Sequence, residues 1–127
     1  MDRITADLVV IGFGKGGKTL AGAIGRRGRR VVLVEQSAEM YGGTCINVAC
    51  VPTKALIHDA DRRPPGEDAS SWYATAVDRK DTLTSTMRAK NLDLLEQVDT
   101  VTVITGRAAF TGPHEVRIVA GAADQRR

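Results

Sequence analysis

Two short apolar runs flank a glycine turn and a stretch with helical spacing, and this arrangement does most to limit the fold. Asp7 to Ile11 carries Leu8-Val9-Val10-Ile11, and Arg30 to Glu35 carries Val31-Val32-Leu33-Val34. Unbroken apolar runs of this length are expected of strands buried on both faces, as in parallel sheets. Between them come Gly12-Phe13-Gly14-Lys15-Gly16-Gly17 and then a helix expected over Lys15 to Arg27. That helix would carry Leu20, Ala23 and Ile24 on one side and Gly28 as its C-terminal cap. Strand, helix and strand within about 30 residues make a βαβ unit with parallel strands and a right-handed crossover. The unit is expected to span residues 7–35.

The glycine turn satisfies two phosphate-binding patterns. Gly12-x-Gly14-x-x-Gly17 is a dinucleotide fingerprint, and Gly12-(four residues)-Gly17-Lys18-Thr19 is a formal P-loop match. Both patterns use backbone N–H groups at a helix N-terminus to hold phosphate. The dinucleotide reading needs a strand before the turn, a helix after it and an acidic residue about 20 positions on. Leu8-Ile11, the helix and Glu35 meet these needs, with the Glu35 carboxylate placed to accept hydrogen bonds from ribose hydroxyls. A P-loop needs a Mg²⁺-binding acid on a neighbouring strand, and Val101-Thr105 carries none at its end. The dinucleotide reading is preferred, with a P-loop or a purely structural glycine turn as alternatives. On the preferred reading Lys18 and Thr19 are simply residues of the first helix.

The only two cysteines, Cys45 and Cys50, are five positions apart in a glycine-flanked segment that leads into a helix. In a regular helix their Cα atoms would be roughly 8.7 Å apart, whereas a disulfide needs about 4.4–6.8 Å. If the thiols pair, the backbone between them must leave helical geometry. Pro52 permits this, since proline fits only a first helical turn. The regular helix is therefore expected to start near Ala49 or Cys50 and to run to about Asp61, with Cys45 on an irregular approach. Cys50 at a helix N-terminus, with Lys54 four residues later on the same face, favours a thiolate. A structural disulfide is uncommon over so short a loop in a cytosolic-looking chain. A zinc site needs about four ligands, and only a distant His58 accompanies the cysteines. A redox role is the preferred reading.

Further along, Arg62 to Ser71 with Pro64-Pro65-Gly66 reads as a surface loop. Tyr73 to Gln97 reads as a helix with Leu83, Met87, Leu92 and Leu95 facing a core. Val101 to Thr105 is a third strand, and Ala108–Phe110 with Val116–Val119 forms an antiparallel hairpin around Thr111-Gly112-Pro113. The expected order of the parallel strands is third, second, first, followed by the antiparallel part. Trp72 and Tyr73 read as helix anchors, Asp78 to Asp81 as a solvated face, His58 as a packing or surface residue and His114 as solvated. A chain of 127 residues makes one domain at most. Its net charge of +3 comes with dispersed arginine pairs and no interleaved aromatics, so nucleic acid is not an expected partner. No apolar run approaches the ~18 residues of a membrane span, and a cytoplasmic location is expected.

Gly42-Gly43-Thr44-Cys45-Ile46-Asn47-Val48-Ala49-Cys50-Val51-Pro52-Thr53-Lys54 resembles the redox-active disulfide signature of the class I pyridine nucleotide-disulfide oxidoreductases. That family includes glutathione reductase, dihydrolipoamide dehydrogenase and mercuric reductase. The signature runs G-G-T-C-x-N-x-G-C-x-P-[ST]-K, and the one departure is Ala49 in place of glycine. The resemblance covers Asp7 to about Val119. Ile11-Gly12-Phe13-Gly14-Lys15, Glu35-Gln36-Ser37 and Met40-Tyr41-Gly42-Gly43 look most like the reactive-chlorine-resistance, copper-reducing branch, with mercuric reductase-like enzymes next.

The resemblance implies an α/β fold: a Rossmann-like parallel sheet of an FAD-binding domain with an antiparallel β-hairpin, incomplete at the C-terminus. Gly12, Gly14 and Gly17 would pack on the FAD pyrophosphate and Glu35 on the adenosine ribose. Gly43 and Thr44 would line the phosphate and ribitol, Lys54 would approach the flavin, and the backbone of Ala108 would contact adenine. Cys50 would face the flavin and Cys45 would attack substrate, a disulfide or a metal ion. Electrons would come from NAD(P)H through a domain not present in this chain, and full-length relatives would homodimerise. The 127-residue chain by itself is expected to bind FAD weakly at best and to show no NAD(P)H oxidation. A dinucleotide-binding module without turnover is the alternative.

Overall fold

The computed structural model describes residues 2–120. The elements run β1 (Leu8–Ile11), α1 (Lys15–Gly25), β2 (Val31–Glu35), a 3₁₀ turn (Ala38–Met40), α2 (Thr44–Asn47), α3 (Cys50–Asp61), α4 (Ala69–Glu96), β3 (Val101–Gly112) and β4 (Glu115–Ala120). The four strands form one sheet in the order β1-β2-β3-β4. β1, β2 and β3 are parallel, with Leu8 opposite Val31 and Val31 opposite Val101. β3 and β4 are antiparallel, with Ala108 opposite Ile118. This is a Rossmann-like α/β fold with the expected strand order. No helix among the described residues is long and apolar enough to cross a membrane.

Burial follows position in the sheet. Val31, Val32, Leu33 and Val34 of the central β2 are all buried. β1 departs from the expectation of burial on both faces. It is an edge strand among the described residues, and Val9 and Ile11 are exposed while Leu8 and Val10 pack inward. The core gathers Phe13, Ala21, Val31, Leu33, Leu95 and Val101.

α1 faces the core with different residues from those its leucine suggested. Ala21, Gly22 and Gly25 are buried; of the expected face, Ile24 packs on the core, while Ala23 is exposed and Leu20 is 48% exposed. The helix lies too close to the sheet for large side chains: a Cβ on Gly25 would overlap Val101 Cγ2 and lie 3.1 Å from Thr100 Oγ1. The Thr100 hydroxyl donates to the Gly25 carbonyl and fastens the end of α1 to the start of β3. α1 also ends two residues before Arg27, and Gly28 follows with φ +84°.

α4 begins at Ala69, earlier than Tyr73, because the Asp68 carboxylate caps it by accepting from the Ser71 N–H at 2.8 Å. That bond, chiefly, holds the Asp68 carboxyl below its ordinary range. Leu95 is buried and Leu92 packs on the core, but Leu83 is exposed and borders a groove between α3 and α4. The third strand and the first arm of the hairpin are one continuous strand of 12 residues. At Gly106 a Cβ would lie 2.7 Å from the Val119 carbonyl oxygen. Glycine there lets β4 close on β3 just where β3 leaves β2.

The close approach of α1 to β3 gives a stability test. Gly25→Ala should destabilise the chain by about 1–3 kcal/mol through overpacking, read as a fall of several degrees in thermal unfolding by circular dichroism. Gly16→Ala, whose Cβ would meet nothing within 4 Å, should be neutral or mildly stabilising. Equal melting temperatures for the two variants would contradict the packing argument.

Candidate functional site

The site is built at the carboxyl end of β1 and β2. Gly12 leaves β1 with φ +103°, and its N–H donates to the Val34 carbonyl at 2.8 Å. Gly17 must lack a side chain, because a Cβ would sit 2.6 Å from the Gly12 oxygen and 2.9 Å from Val10 Cγ1. Gly14 is the N-cap of α1, which has no side-chain cap and no acidic residue in its first turn. Cβ atoms on Gly14 and Gly16 would meet nothing within 4 Å. The helix start is therefore open and positively polarised, with no acidic residue in its own first turn.

Glu35 fixes this loop from the end of β2. One carboxylate oxygen accepts from the Phe13 N–H at 3.0 Å and the other from the Ser37 N–H at 3.2 Å. Phe13 is fully buried and packs on Tyr41, with ring centroids 5.4 Å apart. The Tyr41 hydroxyl in turn pairs with Thr105.

Lys18 and Thr19 do not take P-loop positions. Lys18 Nζ donates to Asn91 Oδ1 at 2.6 Å and to the Gly42 carbonyl at 3.5 Å, and Thr19 Oγ1 donates to the Lys15 carbonyl. Partial burial lowers the Lys18 pKa and the nearby Lys15 charge adds to this, while Cys45 opposes it. Lys18 thus ties α1 to α4 and to the cysteine segment.

Gly42 and Gly43 both adopt φ +91°, and a Cβ on Gly43 would lie 2.6 Å from Gly14 Cα. The two glycine segments meet backbone to backbone. Gly43 is the N-cap of α2, which again has no side-chain cap and no acid in its first turn. Two uncapped helix starts therefore adjoin each other, with Thr44 the first residue of the second. Asn47 holds the turn shut: its Nδ2 donates to the Tyr41 carbonyl at 2.9 Å and the Gly43 carbonyl at 2.8 Å. Its Oδ1 accepts from Arg88 Nη1 at 3.1 Å, and Arg88 Nη2 also pairs with Glu39 at 3.2 Å.

Cys45 lies within the short helix α2 rather than on an irregular approach, and the irregularity follows it. The Val48 and Ala49 N–H groups both donate to the Thr44 carbonyl, at 2.9 and 3.0 Å, so the turn is widened by one residue. α3 then starts at Cys50 with Pro52 in its first turn. Ala49 has φ −118° and ψ −102°, so the positive φ that would demand glycine is absent. Both cysteines are exposed free thiols. A hydrogen bond to the Cys50 side chain, chiefly, raises the Cys45 pKa, and desolvation adds to it while Lys15 opposes it. The two side chains are therefore close enough for one to influence the other's protonation.

Lys54 and Cys50 border the groove between α3 and α4. Ala108 sits on β3 just beyond Thr105, the last residue paired with β2. Of the expected residues, Gly12, Gly14, Gly17, Glu35, Gly43, Thr44, Cys45 and Cys50 are linked by the contacts above, whereas Lys54 and Ala108 are reached through their own elements. Asn47, Arg88, Asn91 and Lys18 serve the site without having been singled out as site residues. Asn47 had a signal in its fixed place within the cysteine segment; Arg88 and Asn91 had none, because their partners are 41 and 73 residues away.

The chain belongs to the pyridine nucleotide-disulphide oxidoreductase family, whose model matches residues 6–126. It is 44% identical over 110 residues to the probable pyridine nucleotide-disulfide oxidoreductase RclA of Escherichia coli K12, covering 87% of this chain and 23% of that protein. It is 35% identical over 119 residues to a mercuric reductase of Streptomyces lividans, covering 84% and 25%. Among solved structures it resembles a Cu(II) complex of the HOCl-induced flavoprotein disulfide reductase RclA from E. coli, with TM-score 0.80, 41% identity and coverage of 91% and 26%. The chain spans about a quarter of the length of these relatives.

The bond between the thiols sets an expected pH dependence. A raised pKa keeps the proton on Cys45, so its alkylation by iodoacetamide, followed by peptide mapping, should have a midpoint above that of an ordinary thiol. Cys50→Ala removes the largest cause and should lower that midpoint. At neutral pH the rate should rise by roughly three- to fourfold per unit of downward shift, since some nucleophilicity is lost as pKa falls. An unchanged midpoint would rule the hydrogen bond out as the cause.

Proposed function

We propose that this chain is the flavin-binding and thiol-bearing part of a disulfide oxidoreductase that takes electrons from NAD(P)H and passes them through Cys50 and Cys45 to a disulfide or metal-ion substrate. The observation that carries this reading is the meeting of two uncapped glycine helix starts, at Gly14 and Gly43, beside two neighbouring thiols. An anion suits that place, since neither helix offers its own carboxylate or side-chain cap. Bound FAD supplies two-electron transfer between NAD(P)H and a disulfide.

The protein's own groups supply the rest. Gly12 and Gly17 shape the turn so that the uncapped start of α1 at Gly14 would hold the pyrophosphate, and Gly43 and Thr44 would line the neighbouring phosphate and ribitol. A carboxylate has about four acceptor sites, so Glu35 can hold the ribose hydroxyls while still accepting from Phe13 and Ser37. Lys54 lies one turn beyond Cys50 on α3 and approaches the flavin ring, and the backbone at Ala108 meets adenine. Reduction of the Cys45–Cys50 disulfide takes two electrons and two protons and gives two thiols. Cys45 then attacks substrate once it has lost its proton, so a base is needed there while Cys50 holds that proton in place. The NAD(P)H site and a homodimer interface belong to the longer protein.

Titration of FAD into the reduced chain, followed by flavin fluorescence, tests the reading. Weak binding is expected, and Gly43→Ala should weaken it at least tenfold, because the methyl group forces Gly43 away from Gly14. Circular dichroism of the same samples separates this from unfolding. The reduced chain should also lose both labelable thiols on treatment with 2-hydroxyethyl disulfide while remaining monomeric. A folded Gly43→Ala variant with unaltered FAD affinity would refute the cradle, and thiols that end up only in cross-linked dimers would refute the redox pair.

A further inference from the structure

Lys18 does more than brace two helices. Among the described residues its ammonium has two hydrogen-bond partners, and both are neutral: Asn91 Oδ1 at 2.6 Å and the Gly42 carbonyl at 3.5 Å. An ammonium has three N–H donors, so one is left for a further acceptor. No carboxylate pairs with Lys18 among the described residues. Its charge is held by dipoles and neutralised by none of them.

The place of that charge is fixed. Asn91 Nδ2 donates to the Met87 carbonyl at 2.8 Å, which leaves Oδ1 to face Lys18. Asn91 also packs on Gly42, where a Cβ would lie 3.2 Å from Asn91 Cγ. Gly42 and Gly43 are buried, and Gly43 sits against Gly14. That contact brings together the starts of α1 and α2, on which Lys18 is the fourth residue and Cys45 the second. A Cys45 thiolate raises the Lys18 pKa against the effect of burial, and a Coulomb attraction favours both charged forms equally. Of the other charges nearby, Lys15 also favours the thiolate, but it is exposed, so water and salt screen it. Cys50 of α3 acts the other way through its hydrogen bond. Arg88 of α4 is engaged by Glu39 and Asn47, and Glu35 of β2 by the Phe13 and Ser37 N–H groups.

We propose that Lys18 is a positioning residue for the thiol chemistry: its ammonium, fixed by Asn91 and the Gly42 carbonyl, is the counter-charge of the Cys45 thiolate, an inference that rests on the redox reading of the cysteine pair. When Cys45 ionises, its proton passes to water and an ammonium–thiolate pair remains. The thiolate is the form that attacks. Lys18 offsets the hold of Cys50 on the Cys45 proton, and it does so only while it is itself protonated. Burial lowers its pKa, so the help fades at the alkaline end of the Cys45 titration.

Two substitutions separate the charge from the brace. Lys18→Gln keeps an N–H donor and loses the charge, whereas Lys18→Arg keeps both. In the reduced chain Lys18→Gln should raise the midpoint of Cys45 alkylation by iodoacetamide and slow that reaction at neutral pH by about two- to fourfold. Lys18→Arg should restore the wild-type profile, and Lys15→Gln should move it less than Lys18→Gln does. The Lys18→Gln effect should persist in a Cys50→Ala background, because the Cys50 hydrogen bond is a separate cause. A brace alone would lower the melting temperature and leave Gln and Arg variants with the same Cys45 profile. A second measurement needs no variant. Capping both thiols of the wild-type chain with iodoacetamide removes the thiolate without adding charge, so the Lys18 side chain, followed by heteronuclear NMR, should titrate lower than in the free-thiol chain. Gln and Arg profiles that coincide, or a Lys18 titration unmoved by capping, would overturn the inference and leave the redox reading standing. Thiols that 2-hydroxyethyl disulfide cannot convert to the internal disulfide would overturn that reading and this role with it.

Discussion

The backbone contact between Gly14 and Gly43 is the constraint on which the rest of the site depends. No side chain fits there: a single Cβ on Gly43 would stand 2.6 Å from Gly14 Cα, closer than carbon atoms can approach. The contact joins two pieces of chain with different roles. One is the turn that ends β1 and starts α1, and the other is the turn that delivers Cys45. Because Gly43 also needs φ +91°, its glycine is required on both conformational and steric grounds.

Around that contact lies a set of polar braces that share one design. Lys18 reaches from α1 to Asn91 of α4 and to the Gly42 carbonyl. Asn47 bonds two carbonyls of its own turn and receives Arg88 of α4. Glu35 holds the Phe13 and Ser37 N–H groups. Each hydrogen bond is worth about 1 kcal/mol net, somewhat more where one partner is charged. Apolar burial is larger: fully burying a residue such as Phe13 or Leu33 contributes about 1.5–3 kcal/mol. The core therefore supplies most of the stability. The braces set the relative position of the two glycine turns and α4, which burial alone would leave loosely specified.

The apolar runs and the glycine spacing made the parallel strand order readable from the sequence, and the glycine turn and cysteine segment named candidate residues that the fold brings together. What escaped reading was the side of each element that faces a neighbour unusually closely or not at all. On α1 the leucine drew the expected inner face toward Leu20, but the helix meets β3 so closely at Gly25, and Leu95 of α4 at Gly22, that no Cβ fits at Gly25 and Leu20 is left exposed while Ile24 packs on the core. On α4 the helical spacing of Leu83 matched that of Leu95, yet Leu83 borders the groove. The run Leu8-Ile11 reads like Val31-Val34, but β1 lies at the sheet edge with one face uncovered among the described residues, so Val9 and Ile11 are exposed. Arg88 and Asn91 carried no signal, because periodicity speaks only to local structure and their partners are far away in the chain.

The widened turn at Thr44 links these constraints to the thiols. Had α2 run on into α3 without a break, Cys45 and Cys50 would stand roughly 8.7 Å apart at Cα by helix geometry, beyond disulfide reach. Two N–H groups converging on the Thr44 carbonyl insert the extra residue, and Pro52 sets the next helix going without needing an N–H of its own. The cost of the break is small where each group keeps a partner, and here the Val48 and Ala49 N–H groups both do. A glycine is not needed at position 49, since the chain passes through it with φ −118°. The departure from the family's signature therefore falls where φ is negative, whereas Gly43, two residues before Cys45, has φ +91° and no room for a Cβ.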